Sequence, residues 1–110
     1  MTDKERKYLS DILNSISHVE EFTRDVKSFD DFTSNFLIKS AVERHFTIIG
    51  EAALKYSRSG SIPLSSTKEI VSLRNHLVHG YDNIDDRILW SIICLHLKPF
   101  KQEVVNLLKA

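Results

Sequence analysis

The chain contains 110 residues, of which 42% are hydrophobic, and its 15 Lys and Arg residues are balanced by 15 Asp and Glu residues. This length fits one domain over residues 1–110 with a modest core, so assembly into an oligomer would help to bury apolar surface. The zero formal net charge excludes the strong basic excess that drives nonspecific nucleic-acid binding. Any contact with a nucleic acid must therefore be local.

The sequence carries no pattern typical of secretion or of membrane insertion. The N-terminal residues are charged without an apolar segment behind them, and no run reaches the roughly 18 apolar residues of a membrane span. The single cysteine, Cys94, cannot form an internal disulfide and falls in a predicted apolar helix. This predicts a buried thiol in a reducing compartment. We therefore expect a cytoplasmic protein without membrane contact.

Two long amphipathic helices are predicted in the first half of the chain. Thr2 and Glu5 form a capping-box pattern, and the apolar residues that follow at helical spacing predict a helix over residues 3–27. A second apolar stripe, from Phe36 to Tyr56, predicts another long helix whose register is clear but whose start the pattern does not define, with His45 on its apolar face as a core imidazole.

A loop and a third helix follow. Turn-forming residues at 57–63 predict the clearest loop in the chain. Ser66 and Glu69 then form a second capping-box pattern, which predicts the start of a helix. We expect this helix to end at Gly80, because glycine adopts the left-handed conformation that commonly follows a helix end.

The last part of the chain predicts a turn at 82–85 and a fourth helix from about residue 85. Pro99 is expected to kink this helix or to begin a short final helix that ends near Leu108. Four or five amphipathic helices with short connections predict an all-α antiparallel bundle, because each apolar stripe needs a partner to cover it.

The segment 74–81, Arg-Asn-His-Leu-Val-His-Gly-Tyr, concentrates the potential chemistry of the chain. An Arg side chain can hold a phosphate through two parallel hydrogen bonds, and an imidazole can transfer protons near neutral pH. This combination suits the cleavage of a phosphodiester bond. RNA is therefore the first substrate to consider.

The spacing of Arg74 and His79 limits how one helix can use both side chains. At about 100° per residue, a separation of five residues places them roughly 140° apart around a straight helix. Either the helix end is distorted near His79, or two copies of the chain place their motifs against each other across a dimer interface.

Residues along most of the chain extend this pattern, namely Ile48-Ile49-Gly50-Glu51-Ala52-Ala53, Ile62-Pro63, Asn83-Ile84-Asp85 and Trp90. The motif itself has four residues between Arg74 and His79 and one residue between His79 and Tyr81. Together with the segments named above, this motif resembles the HEPN superfamily and, within it, the HepT-like toxins. Two positions depart from the family: Leu64 stands where a Trp is common, and His76 is an additional imidazole. Neither change removes a residue that the chemistry needs.

The resemblance implies a ribonuclease that needs no metal or cofactor and works as a homodimer. A 2′-hydroxyl of the RNA attacks the adjacent phosphorus and leaves a cyclic phosphate. Arg74 and His79 inherit the catalytic roles: His79 transfers protons, and Arg74 stabilises the charge that develops on the phosphorane oxygens. Asn75 is expected to orient the substrate or His79, and Glu51 to hold Arg74 or His79 in place.

Tyr81 narrows the resemblance to toxins that are silenced by a cognate minimal nucleotidyltransferase, which acts as the antitoxin by adding adenylyl groups to this Tyr. The flanking Gly80, Asp82 and Asn83 predict an exposed turn that an enzyme can reach. Nucleotide phosphates beside Arg74 would fill an anion site and repel RNA.

Other interpretations of the same residues remain open. Arg74 can be a helix-end cation paired with a carboxylate, His79 can cap terminal carbonyls, and Glu51 can be an ordinary surface carboxylate. The bundle can also be a noncatalytic subunit that presents substrate to a nucleotidyltransferase, or a helical interaction module without any role in nucleotide chemistry.

Overall fold

The structure is a computed structural model that describes residues 1–60, 62–80 and 85–110. Its helices are α1 (Asp3–Thr23), α2 (Phe29–Ser34), α3 (Phe36–Ser59), α4 (Thr67–His79), α5 (Asp86–Ser91) and α6 (Leu97–Lys109), with a π-helical turn at Ile92–His96 between the last two. The described residues contain no strand, so the prediction of an all-α bundle is confirmed.

The predicted capping box at the start of α1 is confirmed. Thr2 accepts a hydrogen bond from the backbone N–H of Glu5, and the carboxylate of Glu5 accepts one from the backbone N–H of Thr2. The predicted end at residue 27 is wrong, because α1 ends at Thr23. The backbone N–H groups of Arg24 and Val26 each donate to the carbonyl three residues earlier. These two hydrogen bonds tighten the chain into a turn.

The short helix α2 was not predicted from the sequence. Its N-terminus is capped by Ser28, whose hydroxyl accepts a hydrogen bond from the backbone N–H of Asp31. The next helix, α3, is capped in the same way by Asn35, which accepts from Ile38. Both caps use residue types that favour helix starts. They help the chain to reverse direction between α1 and α3 over residues 24–35.

The core lies between α1, α3 and α6, and all three helices contribute fully buried aliphatic side chains, including Leu9, Ile12, Val42, Ala53 and Val104. Two contacts show that α1 and α6 run antiparallel. The guanidinium of Arg6 bonds to the carbonyl of Leu108, and Lys101 pairs with Glu20 at 2.7 Å. The longest helix, α3, packs against both α1 and α4 and is the centre of the bundle.

The helix α4 lies at the edge of this core and contains no fully buried residue. The second predicted capping box is wrong: Ser66 makes no side-chain cap, because its backbone is not in the extended conformation that aims the hydroxyl at the helix start. The left-handed conformation predicted for Gly80 is also wrong. The N–H of Gly80 closes the last helical turn on His76, and the chain leaves with φ −76° and ψ 129°.

The predicted loop at 57–63 is shorter than expected, because α3 continues to Ser59. The phenol of the buried Tyr56 donates a 2.6 Å hydrogen bond to the carbonyl of Ile62 and fixes the chain after the turn. Of the turn predicted at 82–85, only Asp85 lies within the described residues. Its side chain caps α5.

The π-helical turn at Ile92–His96 divides the predicted fourth helix just before Pro99. Pro99 falls in the first turn of α6, where its missing N–H leaves no intrahelical bond unmade. The buried environment predicted for Cys94 is wrong, because the thiol is exposed. A π-helical turn contains an extra residue, which rotates the side chains of this segment relative to an α-helical register.

One imidazole, His45, is half-buried where α3 crosses α1. Its Nδ1 lies 3.1 Å from the hydroxyl of the buried Ser15, and its ring contacts His18 and Phe22 with centroids 5.1 and 5.6 Å away. Burial lowers the pKa of His45 below its ordinary value of 6.5, and the neighbouring cations His18 and Arg44 lower it further. The folded protein therefore resists protonation at this position.

Stability should consequently fall as the pH is lowered through 6.5, because the unfolded chain then binds more protons than the folded chain. We expect His45→Gln to flatten this decline in urea unfolding measured between neutral pH and pH 5. The matched control is His76→Gln, which removes an exposed imidazole and should retain the wild-type pH dependence. Parallel pH profiles for wild type and His45→Gln would contradict the assignment.

Candidate functional site

The closest approach of α3 and α4 occurs where Gly50 faces Arg74. A Cβ atom placed on Gly50 would lie 2.2 Å from the Cβ of Arg74 and 3.2 Å from the carbonyl oxygen of Ile70. Real Cβ atoms essentially never approach another atom to 2.2 Å, so only glycine permits this packing. Gly50 therefore lets the two helices approach closely.

The guanidinium of Arg74 is held by two acceptors at this crossing. Its Nη2 lies 3.4 Å from Oε1 of Glu51, and its Nη1 donates to Oδ1 of Asn75 at 3.1 Å. The side chain of Arg74 is 22% exposed and that of Glu51 44% exposed. A long ion pair with a half-exposed carboxylate is worth about 0–1 kcal/mol, so an arriving anion can displace Glu51 at little cost.

One further donor of Arg74 is not used by the fold. Its Nε–H is buried and has no hydrogen-bond acceptor within residues 1–60, 62–80 and 85–110. A buried donor without an acceptor is unfavourable by about 1–3 kcal/mol. The guanidinium thus retains hydrogen-bonding capacity beyond what its contacts with Glu51 and Asn75 consume.

His79 is the last residue of α4 and is exposed to solvent. No hydrogen bond joins it to Arg74 in the described part of the chain, and the helix stays regular up to His79. The regular helix favours the sequence alternative in which two copies of the chain complete the site over the one in which a distorted helix end does so. The structure brings together Arg74, Glu51 and Asn75, and it leaves His79 apart. Tyr81 lies outside the described residues.

A cavity of about 420 Å³ lies beside this site, between α3, α4 and the start of α6. It is lined mainly by apolar side chains, including Phe46, Leu73 and Phe100, and neither Arg74 nor His79 belongs to its lining. It therefore does not supply the phosphate chemistry. No group of three or more His, Cys, Asp or Glu residues is placed to hold a metal ion among the described residues.

None of the helices in the described ranges is long and apolar enough to span a membrane.

The fold and the site define a helical protein that presents an Arg at a helix crossing and a His at the exposed end of the same helix. The family described as ribonuclease HepT-like matches residues 12–107. The chain is 39% identical over 102 residues to a protein of Methanocaldococcus jannaschii named as an inferred RNase, and the match covers 90% of this chain and 92% of that one. The chain belongs to the ribonuclease HepT-like family.

Two other relatives are similar to the chain over nearly its whole length. Identity is 32% over 111 residues to a protein of Thermococcus cleftensis named as an inferred ribonuclease HepT, with coverage of 99% of this chain and 100% of that one. Identity is 33% over 107 residues to another Methanocaldococcus jannaschii protein, named for gamma-glutamylcyclotransferase and an inferred RNase. That match covers 93% of this chain and 46% of the relative. No solved structure matches the chain.

The packing at Gly50 generates a stability prediction. Gly50→Ala gains about 1 kcal/mol of helix propensity, but the new methyl group meets the Cβ of Arg74, which is fixed to the backbone and cannot swing away. We expect a net loss of about 1–2 kcal/mol in the free energy of unfolding, measured with urea. Lys55→Ala, at an exposed position of the same helix, is the control and should change it by less than about 0.5 kcal/mol. Unchanged stability for Gly50→Ala would show that the helices separate without cost.

Proposed function

We propose that this protein is an endoribonuclease toxin whose partner is a minimal nucleotidyltransferase antitoxin. In the proposed reaction a 2′-hydroxyl of RNA attacks the adjacent phosphorus, and the bond to the 5′-oxygen of the next nucleotide breaks. The products are a 2′,3′-cyclic phosphate and a 5′-hydroxyl, and no metal takes part. His79 transfers the protons, and Arg74 stabilises the charge on the phosphorane oxygens.

The observation that carries the proposal is the state of Arg74. The side chain is fixed by the crossing of α3 and α4, yet its hydrogen bonds to protein are few and its ion pair with Glu51 is long. A cation that is positioned but incompletely satisfied is suited to a phosphate, whose oxygens accept two parallel hydrogen bonds from one guanidinium. Membership in the ribonuclease HepT-like family and the names of the relatives favour RNA as the substrate.

The proposed active site is composite and is completed by a second copy of the chain. Arg74 and His79 point in directions roughly 140° apart on α4, so one helix cannot aim both at one phosphate. The helix is also free to pair, because it has no fully buried residue and its Val78 is 43% exposed. In a homodimer, Arg74 of one protomer would face His79 of the other. The local pairing of cations would also compensate for the absence of net positive charge.

Mixing two inactive variants tests the composite site. Arg74→Ala and His79→Ala should each abolish cleavage of total RNA, whereas refolding them together should restore roughly a quarter of the wild-type rate. Half of the randomly formed dimers then combine the two variants, and each of those has one intact site of two. The measurement is the initial rate of RNA fragment formation, with light scattering to establish the dimer.

The same experiment separates the alternatives. If RNA cleavage does not return when the two inactive variants are mixed, Arg74 and His79 of one protomer belong to the same site, contrary to the proposal. Wild-type protein that leaves RNA intact while binding a nucleotidyltransferase would favour the noncatalytic, substrate-presenting subunit. Glu51→Gln is a useful further variant, because it keeps the shape of the side chain and removes only the charge next to Arg74.

Silencing is proposed to occur by adenylylation of Tyr81, and this part rests on the sequence motif alone. Each adenylyl group adds a phosphate two residues from His79, where it would compete with RNA for the cations of the site. A nucleotidyltransferase transfers such a group from ATP: the phenolic oxygen of Tyr81 loses its proton and bonds to the α-phosphorus, and pyrophosphate leaves.

Co-expression of the chain with a nucleotidyltransferase encoded by a neighbouring gene tests this step. We expect the intact mass of the wild-type chain to rise by whole AMP units and its RNA cleavage to fall, whereas Tyr81→Phe should keep both its mass and its activity. Tyr81→Phe is the matched control because it removes only the phenolic oxygen. A wild-type mass that does not change would remove Tyr81 from the mechanism.

A further inference from the structure

A second surface, distant from Arg74, exposes large apolar side chains where α1 ends and α3 begins. Phe36 and Leu37 are 76% and 79% exposed, and Phe22 is 36% exposed. Phe22 and Phe36 line one shallow cleft of about 630 Å³ together with Asp25 and Asp31. We call these five residues the α1–α3 patch. Exposed apolar groups clustered in this way mark interaction sites more often than single exposed residues do.

The patch is separate from the candidate active site. Phe36 and Gly50 both belong to α3, and at about 1.5 Å per residue roughly 20 Å of helix lies between them. Gly50 is the residue that faces Arg74. A short segment seated on the patch therefore does not need to contact Arg74.

The charge around the patch is mainly negative. Residues 20–37 contain five carboxylates, at positions 20, 21, 25, 30 and 31, against two cations, at positions 24 and 27. Of these carboxylates, only that of Glu20 takes part in an ion pair within the described residues, with Lys101. Asp25 and Asp31 are exposed and lie beside the apolar rings. The patch thus combines an apolar centre with an acidic rim.

The geometry points to the α1–α3 patch as a docking surface for a protein segment that presents apolar side chains flanked by Lys or Arg. Its acidic rim repels the phosphates of RNA, which excludes a second RNA-binding surface here. It also disfavours a second copy of the chain. A two-fold interface would place each patch against itself and bring Asp25 and Asp31 close to their own copies. A basic partner instead gains from the carboxylates while it covers Phe36 and Leu37.

The test uses a synthetic helical peptide of Leu and Lys, with the leucines on one face, titrated into the isotope-labelled full chain. We expect amide NMR shifts concentrated at residues 22, 25, 31, 36 and 37. Replacing every Lys of the peptide by Glu should weaken binding by roughly tenfold or more, because like charges then meet at the rim. Asp25→Asn should weaken binding of the Lys peptide and leave binding of the Glu peptide unchanged or tighter.

Leu37→Ser tests the apolar contribution, and Ile62→Ser is its matched control. Ile62 is 53% exposed and lies beyond the opposite end of α3, so its replacement should leave peptide binding unchanged. Leu37→Ser should weaken binding by roughly tenfold, the loss expected for one large apolar contact. Both positions are exposed, so neither change threatens the fold.

Three results would overturn the inference. The first is a set of amide NMR shifts that lies outside the α1–α3 patch or that is the same for the Lys and Glu peptides. The second is a concentration-dependent dimer that Leu37→Ser abolishes, because the patch would then be covered by a second copy. The third is an RNA oligonucleotide that shifts the patch amides. RNA cleavage by Leu37→Ser is measured alongside, and it should equal wild type whichever way the peptide result falls, which separates this inference from the proposed active site.

Discussion

The absence of a side chain at Gly50 is the constraint on which the arrangement of the site depends. It lets the stem of Arg74 lie directly against the backbone of α3, with no room for a single additional carbon atom. Glu51, the next residue of α3, then falls within ion-pair distance of the guanidinium. The position of Arg74 is thus set by the packing of its stem against the backbone of α3 as well as by the hydrogen bonds that its guanidinium makes.

The helix α4 is packed only shallowly on the core, and this has consequences for both stability and function. A helix with no fully buried residue gains less from the hydrophobic effect than α1 or α3, so it would benefit from an additional partner. It is also the element that carries Arg74 and His79. Function and assembly are therefore coupled in the proposed dimer, whereas the acidic α1–α3 patch at the far end of α3 remains available for a different partner.

Much of the helical architecture follows from local sequence patterns. The start of α1 and the apolar face of α3 were predicted because they depend on capping residues and on apolar spacing within a few turns. Where a predicted helix boundary or burial was wrong, a different local interaction or backbone conformation decided the structure. Ser28 and Asn35 each form a cap that starts a new helix, Ser66 adopts a backbone conformation that cannot cap, and the π-helical turn rotates Cys94 into solvent.

The sequence by itself determined the helical class of the chain, its family and the residue types that make phosphodiester chemistry possible at positions 74–79. Only the tertiary structure decided which of these residues meet. It brings Arg74 to Glu51 across 23 positions of sequence and leaves His79 apart from Arg74, five positions away. The physical reason is that a helix fixes the direction of each side chain by its rotation, whereas the crossing of two helices fixes which directions converge.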